Sequence, residues 1–135
     1  MGKITVEATI AADRNKVWEY YINPEHITKW NFAADDWQCP SAENDMRVGG
    51  TYKARMEAKD GSFGFDFEAV YDEVVPKEKF TYSFGGRSCT VTFADLGEET
   101  RVTVVFDAEN EHPEEFQKQG WQMILNNFKK YTESH

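Results

Sequence analysis

A chain of 135 residues with 40% hydrophobic and 29% charged side chains has the length and composition of one globular domain, which excludes a disordered or fibrous protein. Its 24 acidic against 15 basic side chains give a formal charge of −9, which repels nucleic acid and anionic lipid at long range, so neither is expected as a partner. No apolar run approaches the roughly 18–20 residues needed to cross a bilayer, and the start MGKITVEATI lacks the apolar centre of a signal peptide, so the expected compartment is the cytosol. Val6 also stands where a myristoylation signal wants Ser or Thr.

In chain order, KITVEATI alternates Ile4, Val6, Ala8 and Ile10 with Lys3, Thr5, Glu7 and Thr9, the pattern of a half-buried strand. Asp13 offers an N-cap to RNKVWEYYI, whose Val17, Trp18, Tyr21 and Ile22 recur at helical spacing until Asn23-Pro24 stops them. Pro24 can open a second short helix, which EHITKW carries to Trp30. From Trp37 the period changes to two, with Tyr52, Ala54, Met56 and Ala58 on one face of YKARMEA, followed by an Asp60-Gly61 turn. The next stretch, SFGFDFEAVY at 62–71, sends Phe63, Phe65, Phe67, Ala69 and Tyr71 to one face and Asp66 and Glu68 to the other.

Pro76-Lys77 breaks that strand, Gly85-Gly86 separates KFTYSF from CTVTF, and Gly97 precedes TRVTVVF, which together predict an antiparallel meander. A helix of about 30 Å is expected from about Pro113 to Glu133, opened by Glu114 and Glu115 and closed by Lys129 and Lys130, as the helix dipole favours. Trp121, Leu125 and Phe128 form one apolar stripe on it; Phe116, Gly120, Met123, Asn127 and Tyr131 follow an adjacent one. The fold class is α+β: a curved antiparallel sheet of six to seven strands wrapped around the C-terminal helix, with two short helices after strand one, in a single domain over 1–135.

Motifs of chemistry are few. Cys39 and Cys89 lie far apart without CxxC spacing, which suits two reduced, buried thiols. His26, His112 and His135 form no HxxxH or HExxH pattern, so no metal and no cofactor is expected. There is no Ser-His-Asp order and no glycine-rich phosphate loop, and no residue is assigned a catalytic role.

NPEHITKW at 23–30, NDMRVGGTY at 44–52, FEAVYDEVVPKEKFTYSF at 67–84 and GWQMILNNFKKY at 120–131 together resemble the activator-of-heat-shock-protein-90-ATPase-like family, part of the START-like (SRPBCC) superfamily. The resemblance covers nearly the whole chain. It implies the helix-grip fold of the birch-pollen allergen, with a hydrophobic cavity between sheet and helix in many members. It also implies structural roles for Gly49-Gly50, at the entry to a strand, and for Gly120-Trp121, as the seat of the helix. It carries over no catalytic residue.

In such a fold the alternating rings either fill a core or line a hollow. The expected cavity lining is Trp30, Phe32, Met56, Phe63, Phe65, Phe67, Tyr82, Phe84, Met123 and Asn127. Asn127 either faces the rim or serves as a polar anchor in an apolar pocket. Trp30 and Phe32, beside Asp35-Asp36, either gate the mouth or, with Trp18, plug the end of the barrel. Three functions compete: binding of a small apolar molecule, docking on a chaperone or other protein partner through the acidic surface, and a cyclase- or aromatase-like activity that shapes a substrate in the cavity.

Overall fold

A computed structural model of the chain describes residues 2–135. The period-two segments become strands β1 (Lys3–Ile10), β2 (Trp37–Asn44), β3 (Thr51–Ala58), β4 (Gly64–Val75), β5 (Lys79–Phe84), β6 (Arg87–Asp95) and β7 (Thr100–Asp107). The helical segments become α1 (Arg14–Ile22), α2 (Pro24–Trp30) and α3 (Glu114–Ser134). Asp13 Oδ1 accepts from Lys16 N at 2.8 Å and caps α1. Asn23 ends α1 and also caps α2, accepting from Glu25 N at 3.0 Å, so one residue turns the chain between the two helices.

The seven strands form one antiparallel sheet in the order β1-β7-β6-β5-β4-β3-β2. Neighbours in sequence pair from β2 to β7, while β1 closes on β7, so α1 and α2 carry the chain from one edge of the sheet to the other. Gly49 and Gly50 allow the entry to β3. Gly49 sits at φ +85, and a Cβ on Gly50 would lie 2.2 Å from Asp45 O, a clash no side chain could relieve. The pair is bonded to β4 through Gly49 N to Tyr71 O at 2.8 Å and Tyr71 N to Gly50 O at 3.0 Å.

The curled sheet grips α3 on its concave face. Leu125 and Phe128 are buried against it, and Trp121 stacks flat on Phe106 with ring centroids 3.9 Å apart and 12° between planes. Under α1 and α2 the interior is solid: Trp18 meets Phe93 edge-on at 5.2 Å, and Trp30 meets Phe128 edge-on at 4.9 Å. Trp30 also donates its indole N–H to Tyr20 O at 3.0 Å. The C-terminal half of α3 is tied to the first strand and the turn after it, where Lys129 Nζ donates to Thr9 O at 2.5 Å and Glu133 Oε2 accepts from Ala11 N at 2.8 Å.

Three expectations about α3 need correction. The helix runs on to Ser134, so Lys129 and Lys130 stand a turn short of its end, and Lys129 pairs with Glu133 at 2.7 Å instead of closing the dipole. The second apolar stripe is not buried as a whole: Phe116 and Met123 are 62% and 47% exposed. At about 100° per residue, Met123 lies roughly 140° round the helix from Phe128 and has turned past the sheet. The seat of the helix is Trp121 alone, because a Cβ on Gly120 would meet nothing within 4 Å.

Gly120 therefore weakens a helix interior without a packing reason. The substitution Gly120→Ala is expected to stabilise the protein by about 0.5–1 kcal/mol, read as a higher urea midpoint at unchanged slope.

Candidate functional site

β3 and β4 twice set a ring against an alanine across the ladder. Tyr52 pairs with Ala69 and Phe67 with Ala54, while Met56 pairs with Phe65. Each alanine gives the ring beside it room to lie over the strand instead of standing off it. α3 leans towards β1, Trp121 rests on Phe106 of β7, and no helix fills the space above β3 and β4. A cavity of about 200 Å³ remains there.

Its wall is mostly aromatic. Tyr52 and Tyr82 are stacked at 5.9 Å with 17° between planes, and Phe67 stands edge-on to both at 5.9 Å. Trp30 and Tyr21 close the inner end, and Trp121 and Ile124 of α3 form the opposite wall. The bulge in β4 falls between Tyr71 and Glu73, beyond the cavity, so the facing of Phe65, Phe67, Ala69 and Tyr71 is kept. Asp66 and Glu68 lie on the other face, near Arg55 and Lys53, each pair 3.6 Å apart.

The polar atoms of the wall are few and uncharged. Tyr71 donates to Asn44 Oδ1 at 2.6 Å, and Asn44 Nδ2 donates to Ile22 O at 2.7 Å, a relay that ties β4 and β2 to the end of α1. Asn31, just past α2, donates to the Tyr52 hydroxyl at 3.2 Å and approaches Met56 Sδ at 3.4 Å. Burial pushes the phenols of Tyr21, Tyr52, Tyr71 and Tyr82 well above the ordinary tyrosine range, so all four are neutral donors at physiological pH. Burial likewise raises both thiols, Cys89 up to about 12 and Cys39 to a smaller extent, which leaves them protonated and unreactive. Among the described residues no three His, Cys, Asp or Glu side chains gather as a metal site requires, and no helix is long and apolar enough to cross a membrane.

Of the residues expected at the cavity, Trp30, Met56, Phe65, Phe67 and Tyr82 lie on its wall. Phe84 stands behind the wall, against Phe67 at 5.1 Å and Trp121 at 6.3 Å. Phe63 precedes β4, is 60% exposed and meets Trp37 edge-on at 5.9 Å at the surface. Met123 points to solvent for the reason given above. Asn127 is no anchor in the cavity: its Nδ2 donates to Trp30 O at 3.0 Å and Phe32 O at 3.4 Å, which clamps the end of α2 onto α3. Phe32 takes part through its carbonyl and is not on the cavity wall. Tyr21, Asn31, Asn44, Tyr52, Tyr71, Trp121 and Ile124 line the cavity in addition to the expected set. The alternation in β3 and β4 already carried Tyr52 and Tyr71; nothing local marked Asn31 or Asn44.

The family model for "Activator of Hsp90 ATPase homolog 1-like protein" matches residues 11–133. The chain belongs to that family. A solution structure of an AHSA1-like protein from Aeromonas hydrophila is 39% identical, covers 98% of this chain and 93% of its own, and superposes with a TM-score of 0.93. A solution structure of a protein of Cytophaga hutchinsonii is 47% identical, with 98% and 92% coverage and a TM-score of 0.84. A protein of Chromobacterium violaceum is 27% identical, with 98% and 99% coverage and a TM-score of 0.86. No curated protein matches the chain. Membership agrees with the sheet, the paired short helices and the gripped α3 described above, and it names no reaction.

The raised phenols have a measurable signature. Their folded-state pKa lies above the unfolded value, so the stability they contribute is complete below about pH 10 and is lost as pH rises beyond it. Phenolate absorbance near 295 nm is expected to account for at most two of the six tyrosines in the folded protein at about pH 11, the other four ionising only as the circular dichroism of the fold disappears.

Proposed function

We propose that the chain works as a single-domain cytosolic binding protein that holds a small, mostly apolar molecule in the cavity between β3, β4 and α3, without covalent chemistry. The observation that carries this reading is the cavity itself: about 200 Å³, walled by aromatic rings and reached by no ionised side chain. A cavity of about 150 Å³ suffices for benzene, so the space suits one ring with a few substituent atoms. Apolar walls with a small number of placed polar atoms are the usual make-up of such sites. A general acid, base or nucleophile would need a group poised to exchange a proton near neutral pH, and the neutral phenols and amides of this wall offer none.

Trp30 and Trp121 lie in the wall and report on its occupancy. Titration with ethylbenzene is expected to change their fluorescence saturably. The variant Ile124→Trp, which places a large ring in the cavity, is expected to abolish that response at an unchanged or higher unfolding temperature. No saturable response to ethylbenzene, cumene or indole would sink the reading.

A second reading, docking on a protein partner, is favoured by one surface feature. Trp37, Phe63 and Phe65 cluster with centroids 5.9–6.3 Å apart, and Phe63 and Phe65 are 60% and 43% exposed. The family description suggests a chaperone ATPase as that partner. On this reading, ATP turnover by heat-shock protein 90 of the same organism rises on addition of the protein and does not rise with Phe63→Ser. Flat turnover at high excess of the wild type disposes of it.

A further inference from the structure

The polar groups of the cavity wall divide into those already engaged and those still free. The Tyr71 to Asn44 to Ile22 relay is closed at both links. The Tyr52 oxygen accepts from Asn31 Nδ2, which leaves the Tyr52 proton to be donated elsewhere. The hydroxyls of Tyr21 and Tyr82 have no oxygen or nitrogen partner among the described residues; the Cys89 thiol beside Tyr82 is a weak acceptor. Neither hydroxyl is sealed in, because Thr132 Oγ1 is the only fully buried side-chain oxygen or nitrogen without a partner among the described residues. Both residues line the cavity.

Three tyrosines with a proton to donate, from three elements, α1, β3 and β5, therefore line one small space. The same space has a flat aromatic wall in the stacked rings of Tyr52 and Tyr82. We propose that the cavity takes a neutral, single-ring aromatic carbonyl compound, its ring against Tyr52 and Tyr82 and its carbonyl oxygen accepting hydrogen bonds from two of the hydroxyls of Tyr21, Tyr52 and Tyr82. This inference rests on the cavity-binding reading above and specifies the ligand class.

Three physical constraints select that class. Volume limits the occupant to about one ring with a few added atoms. Donors in an apolar interior are stabilised by an acceptor and stay costly without one, which a plain hydrocarbon does not supply. No Lys, Arg, His, Asp or Glu reaches the wall, so a carboxylate or ammonium ligand would lose its hydration without meeting a counter-charge. A carbonyl oxygen has two lone pairs in one plane and can serve two of the hydroxyls at once.

Acetophenone, cumene and benzoate are matched probes: one ring, nearly equal size, and respectively a carbonyl, a hydrocarbon branch and a charged carboxylate. With the purified full chain, acetophenone and cumene are expected to bind and benzoate to be at least tenfold weaker than acetophenone. The double substitution Tyr21→Phe with Tyr82→Phe is expected to weaken acetophenone about tenfold and to leave cumene within twofold, as the loss of one to two net hydrogen bonds predicts. In the wild type, the carbonyl stretch of bound, carbon-13-labelled acetophenone is expected below its value in hexane, a readout that needs no variant.

Equal weakening of both neutral probes, benzoate binding as tightly as acetophenone, or a carbonyl stretch at the hexane value would each overturn the proposal. Cumene binding without acetophenone would overturn the ligand class while leaving the cavity reading intact. Failure of both neutral probes would take the cavity reading down with it.

Discussion

The stacking of Trp121 on Phe106 is the contact on which the interior depends. With Phe128 buried against Trp30 and Tyr21, it holds α3 over the β1 and β7 half of the sheet. A helix placed there cannot also cover β3 and β4. The hollow is thus a consequence of where the largest ring on the helix found a flat partner, and the alanines of β3 and β4 deepen what the helix leaves open. Asn127 fixes the remaining freedom by bonding the carbonyls of Trp30 and Phe32, so the inner wall of the cavity cannot slide along α3.

Charge plays little part in that interior. The ion pairs within the sheet lie on the convex face or at the ends of the strands, where exposed pairs contribute little. What the cavity wall carries instead is phenols that burial keeps protonated, and amides, all held in place by packing. Donors left free in an apolar interior work against stability unless something satisfies them. Local rules broken in this way concentrate where a protein does something besides fold.

Much of the architecture was legible in the residues because its signals are local. Alternation in KITVEATI and YKARMEA, the cap at Asp13, and Asn23-Pro24 between the short helices each act within a few residues, and the elements begin and end close to them. The site was only partly legible, for two reasons. Facing is reliable inside a strand and fails at its ends, so Phe65 and Phe67 reach the wall while Phe63, one residue before β4, does not. On α3, Met123 and Ile124 are neighbours in sequence, and only the angle at which the helix meets the sheet decides which of them turns inward. That angle is set by Trp121 and Phe106, more than a dozen residues apart. Asn31 and Asn44 were beyond reach because their meaning lies in partners on other elements.

Both outermost strands of the open sheet present unpaired backbone groups, and they differ in how they meet that exposure. β2 changes register between Gln38 and Ser41, with Pro40 inside the irregular step. Proline has no N–H to offer an incoming strand, and the displaced backbone breaks the even spacing that a second sheet would have to match. In a crowded solution, growth of the sheet by edge-to-edge addition is therefore hindered at β2, and that edge is a poor seed for aggregation.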